Sequence, residues 1–169
     1  LFALASCGRG IAAAGRTDGV ASEAIADSAP EERDPRVDDL WVRAEDGDEA
    51  DLARLYDREG DTGLEERGAL PAYRLTAIQA LGFAHDFTPL PWLAEVAASG
   101  SDAEAEAALD SARSLAAWPR PARDPEDALE LREGCERLIA LAAAKDKPKS
   151  RCDHAASVLQ MLQTAGCAK

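Results

Sequence analysis

Residues 72–86, "AYRLTAIQALGFAHD", carry the clearest periodicity in the chain. Leu75, Ala77, Ile78 and Leu81 gather on one face of a 3.6-residue period, the mark of an amphipathic helix and not of a strand. Pro71 suits the first helical position, where its missing N–H is not needed. The pattern fades over Gly82–Ala84. This stretch therefore predicts a helix from Pro71 to about Gly82, and its neighbours repeat the period in both directions.

Upstream, Val37, Leu40, Trp41 and Ala44 draw a stripe over about 36–46. Asp48 can cap a second helix bearing Ala50, Leu52, Leu55 and Tyr56, which Gly60 ends, leaving a loop over about 60–70. Downstream, Thr88-Pro89 opens a helix with Leu90, Leu93, Val96 and Ala97 inward, stopping at Gly100. Ser101 and Glu104 stand at capping-box spacing before Ala105, Ala108, Leu109, Ala112 and Leu115, and Trp118-Pro119 closes that helix. Asp124-Pro125 starts a long helix with Leu131, Cys135, Leu138, Ile139 and Ala142 on its face. After Pro148, Ser150 and Asp153 again have box spacing, ahead of Ala155, Val158, Leu159 and Leu162. About seven helices and no strand pattern make the fold class all-α.

Composition agrees. Hydrophobic residues are 46% of the 169, yet there are only three Trp, two Tyr and three Phe, so alanine supplies much of the apolar content and favours close-packed helices. The net charge of −13, from 32 acidic and 19 basic residues, repels phosphate backbones and anionic headgroups and argues against nucleic acid as a partner. "KDKPKSR", residues 145–151, is the densest basic run and reads as a solvated turn.

"AYRLTAIQALGFAHD" also resembles the second helix of a HEAT repeat, with Arg74, Ala77, Ile78, Ala80, Leu81, Gly82 and Asp86 at matching positions and Tyr73 in place of an aliphatic residue. Residues 90–116 are similar to a following helix pair, with Leu75, Ala80 and Leu81 aligned on Leu109, Ser114 and Leu115, a shift of 34. The resemblance implies a short α-solenoid of helical hairpins over 36–169, in which 125–166 form a diverged capping pair. A single helical bundle without repeats is the alternative. The family implies a surface that binds another protein; some HEAT-like proteins resemble chromophore lyases, but no residue pattern here supports catalysis.

At the other end, Leu4-Ala5-Ser6-Cys7 is similar to the lipobox of bacterial lipoprotein signal peptides. That resemblance implies a diacylglycerol on Cys7, cleavage before it, and residues 1–6 as the remnant of a longer leader. A core helix beginning at Leu1 is the alternative, but residues 7–35 are rich in Gly, Ala, Ser and Asp and read as a flexible tether. The whole then resembles an envelope lipoprotein that meets the membrane only through the lipid on Cys7. Gly8 after the Cys resembles sorting to the periplasmic face of the outer membrane. Its partner would be another envelope protein, and a structural domain without a specific partner is the alternative.

Four cysteines remain: Cys7, Cys135, Cys152 and Cys167. Positions 152 and 167 on one helix lie ~22 Å apart along the axis, too far for a bond that needs Cα atoms within about 7 Å. A bridge must therefore use Cys135, and an antiparallel helix pair brings it nearer Cys167 than Cys152; three reduced core thiols are the alternative. Cys152-x-His154 is not a usual zinc spacing, so no metal is expected. His85-Asp86 reads as a surface loop. "DREGDTGLEE", residues 57–66, has Thr62 where a calcium loop needs Gly, and Gly68 where it needs Glu. No phosphate loop or nucleophile elbow occurs, so neither a cofactor nor a catalytic residue is expected.

Overall fold

The computed structural model describes residues 35–117 and 121–167, with side chains from residue 39 onward. The lipobox, the tether and Trp118-Pro119 lie outside the described residues. Those described are all-helical: α1 (Pro35–Ala44), α2 (Glu49–Gly68), α3 (Arg74–Leu81), α4 (Leu90–Ser99), α5 (Asp102–Ala117), α6 (Pro125–Ala142) and α7 (Lys149–Leu162), then one 3-10 turn, Gln163–Ala165.

Consecutive helices pair as α1 with α2, α2 with α3, α4 with α5 and α6 with α7. Across these hairpins α3 packs on α5 and α5 on α7, while α4 packs on α6. Two rows of helices thus enclose one apolar core. Trp41, Leu55, Leu64, Ile78, Leu81, Phe87, Leu90, Leu93, Leu109, Leu115, Leu138 and Leu162 are fully buried in it.

The helix starts follow local chemistry. Asp48 accepts from the amides of Ala50 and Asp51 at 3.0 and 3.1 Å, and Asp124 accepts from Glu126 and Asp127 at 3.0 and 2.9 Å. The Ser101–Glu104 box forms: the Ser101 amide donates to Glu104 Oε2 at 2.7 Å, and the Glu104 amide to Ser101 Oγ at 3.4 Å.

Several expectations need correction. Gly60 breaks α2, with φ 65° and ψ −179°, but the chain resumes as helix instead of a loop, because Leu64 and Gly68, one turn apart, both find buried positions. Pro71 lies in the turn before α3, which starts only at Arg74. Leu75 is 43% exposed and Thr76 takes the inward place, so the α3 stripe is rotated from the one its apolar letters draw. Ile139 is likewise 44% exposed. The Ser150–Asp153 box does not form: Pro148 precedes the first turn of α7 and Asp153 instead pairs with Lys149.

The alignment of α3 with α5 also changes. A shift of 34 sets exposed Leu75 on buried Leu109 and buried Ala80 on exposed Ser114. The burial patterns coincide at 31, with Ala77, Ile78, Ala80 and Leu81 matching Ala108, Leu109, Ser111 and Ala112. Contact between the helices supports that register, since Ser111 Oγ donates to the Ile78 carbonyl at 2.8 Å.

Candidate functional site

The residues matching the HEAT pattern act as ties between helices. Arg74, at the start of α3, places Nε 2.8 Å from Glu104 of α5 and donates to the Gly68 carbonyl of α2 at 3.4 Å. Its guanidinium lies 5.9 Å from the centre of the Trp92 ring on α4. A cation at the closing carbonyls of α2 complements that helix's dipole. The Ser101 amide and hydroxyl, with Arg74, hold the Glu104 carboxyl below its ordinary range. Ala77 and Leu81 are wholly buried. Gly82 lets α5 approach: a Cβ there would lie 3.2 Å from both Cα and Cβ of Ser111.

Asp86 is 8% exposed and joins two connections. It accepts from the Thr88 amide at 3.1 Å and pairs with Arg123, in the segment before α6. Asp127, buried on α6, completes the junction by accepting from the Phe87 amide at 2.6 Å and the Arg123 amide at 2.7 Å. The sequence reading passed over Asp127. Its position three residues after the Asp124 cap was visible, but the 40-residue reach to Phe87 was not.

Beside this junction lies a crowded acidic corner. Burial, with the nearby charges of Asp61 and Asp86, pushes the Tyr56 hydroxyl up to about 12. Burial first, then the Asp86 charge, raises the Asp61 carboxyl, whose Oδ1 is buried without a hydrogen-bond partner among the described residues. Glu65 is raised by burial and then by Asp61 and Glu130. His85 is exposed and meets the Tyr56 ring edge-on at 5.9 Å. His85 and Asp86 thus do different things, the ring outside and the carboxylate in the junction. No group of three or more His, Cys, Asp or Glu suited to a metal occurs among the described residues.

Cys135 and Cys167 are bonded, with Cα atoms 6.0 Å apart, fastening the chain beyond α7 to the middle of α6. Gly166, at φ 115°, turns the chain toward α6, and both cysteines are buried. Cys152 is a buried free thiol that contacts the Ala144 carbonyl at 3.4 Å. His154 places Nε2 3.6 Å from Asp110, across the α5–α7 contact. Cys7 lies outside the described residues. No helix of the described residues is long and apolar enough to cross a membrane.

The outer surface carries a few large apolar groups: Val42, Leu70, Leu75, Leu129 and Ile139 are each more than 40% exposed. Leu70 and Leu75 flank the turn between α2 and α3. Leu129 and Ile139 stand on α6. Comparison with known proteins gives no match, whether to a family model, a curated sequence or a solved structure.

Proposed function

We propose that the chain is a lipid-anchored cell-envelope protein whose stacked, HEAT-like helical hairpins bind another envelope protein without catalysis. The observation that carries this reading is Leu4-Ala5-Ser6-Cys7 ahead of a low-complexity stretch and a helical domain. The Cys135–Cys167 bond supports it, because such bonds persist in oxidising compartments outside the cytosol. The motif residues Arg74, Ala77, Leu81, Gly82 and Asp86 serve as internal ties in this reading and leave recognition to surface groups such as Leu70 and Leu75.

The test has two arms. Expressed in a bacterium behind an intact leader, the chain should incorporate fatty acid and fractionate with membranes, and Cys7→Ser should abolish both. Crosslinking on intact cells should then yield a specific adduct that weakens with Leu70→Asp or Leu75→Asp. Unlabelled, soluble chain overturns the anchor. Labelled chain with no adduct overturns the binding role and leaves a structural domain.

A further inference from the structure

The outward face of α6 carries a pattern that is complementary to itself. Leu129, Arg132, Glu136 and Ile139 fall within one arc of about 80° at 100° per residue, outside the arc of the buried residues Leu131, Gly134, Cys135, Leu138 and Leu141, with Ile139 at the edge beside Cys135. All four are exposed, the two aliphatic residues at 46% and 44%. In sequence they are arranged symmetrically about position 134, aliphatic–basic–acidic–aliphatic, with the charges inside and the apolar groups outside.

We infer that two copies of the chain pair through this face, α6 against α6 of the second copy in antiparallel register, about a two-fold axis at the level of Gly134. That register sets Leu129 against Ile139 and Arg132 against Glu136, each contact occurring twice, as an isologous interface requires. The charges are available: among the described residues neither Arg132 nor Glu136 has an ion-pair partner, whereas Arg137 is held by Glu95 at 2.6 Å and Glu133 at 2.7 Å. The site is also electrically suited to self-contact. In a chain of net charge −13, this face balances Arg132 and Arg137 against Glu133 and Glu136, so two copies meet here without the repulsion that the molecule as a whole exerts. A shallow hollow of about 600 Å³, bounded by Leu129, Arg132, Glu133, Glu136, Arg137 and Ala140, receives the partner's side chains. Ala140 keeps that rim low.

One helix face buries less than the roughly 800 Å² per partner of a standard interface, so the dimer is a weak one. Sedimentation velocity of the full chain carrying Cys7→Ser, which leaves the buried Cys152 as its one thiol outside the bond, should show a monomer-to-dimer shift between about 10 µM and about 1 mM. Arg132→Glu and Glu136→Arg should each abolish the shift, since every cross-contact then joins like charges. An equimolar mixture of those two single variants should recover the dimer, because each Glu faces an Arg. The double variant, with the charges exchanged, should recover it alone. Both positions are solvent-exposed, and unchanged circular dichroism and urea midpoints establish that the variants fold. A parent chain monomeric throughout the range, single variants that associate as the parent does, or a mixture that stays monomeric would each overturn the inference. The anchor reading can fail without touching this result.

Discussion

Gly134 shows how much one missing methyl can decide. Alanine is the better helix former by about 1 kcal/mol, so Gly134→Ala in the interior of α6 would ordinarily stabilise. Here the added Cβ would lie 2.5 Å from Leu90 Cγ and 2.7 Å from Leu90 Cδ2 on α4. The overlap dominates, and Gly134→Ala should lose about 1–3 kcal/mol in urea unfolding. A stabilised variant would mean that α4 and α6 stand farther apart. Asp61 is the opposite case, a residue whose present form costs stability. Its carboxyl is raised in the folded state, so the folded state holds a proton more tightly than the unfolded one. Stability is therefore greatest below the ordinary value of 3.8 and falls as pH rises through the folded value. Glu65 acts with the same sign, while Glu104, lowered by Ser101 and Arg74, stabilises above its ordinary 4.5 and loses that contribution as pH falls. Acidifying from neutral pH toward the ordinary carboxylate range should thus raise the unfolding midpoint before further acid lowers it. Asp61→Asn should raise the midpoint at pH 7, by a few tenths of a kcal/mol for so partly screened a site, and flatten the rise. A rise on acidification as steep as the parent's would clear Asp61 of the effect.

Among the helices, α2 depends most on a single backbone angle. Gly60 holds φ 65° with ψ −179°, a region essentially closed to residues with a Cβ. Nothing lies within 4 Å of where that Cβ would sit, so the penalty of Gly60→Ala is conformational alone, about 1–3 kcal/mol, read as a lower urea midpoint without loss of helical circular dichroism. If the variant is neutral, α2 runs straight. The helices were legible from the apolar period, and Asp48, Ser101 and Asp124 marked their starts. The stretch after Gly60 was not, because its acidic letters hide its one buried aliphatic residue, Leu64, behind polar ones. Leu75 and Ile139 misled for the converse reason. They satisfy the period, but the side of a helix that meets the core is set by its neighbours, and α3 buries Thr76 instead of Leu75.

The molecule as a whole is joined by a covalent tie and by a junction of charges. The bond between Cys135 and Cys167 closes a loop over a separation of 32 residues, for which chain entropy gives about 3–4 kcal/mol of stabilisation. Cys135→Ser, or reduction of the native chain, should lower stability by that order. After denaturation without reductant, the Cys7→Ser chain should titrate one thiol, Cys152; three thiols would rule the bond out. Asp86, Arg123 and Asp127 fasten the α3–α4 connection to the start of α6 in the same sense, without a covalent bond. The chain's letters were sufficient for the all-α class, the helix count among the described residues and the caps at Asp48, Ser101 and Asp124, since these depend on residues within a turn or two of each other. They narrowed the cysteine pairing as well, because axial rise alone separates 152 from 167. Only the packed structure decided the displacement of 31 between α3 and α5, the reach of Asp127 to Phe87, and which aliphatic residues of α6 face water. Each of these depends on contact between separate helices or connections, and burial there follows from how neighbouring surfaces fit, which no local period encodes.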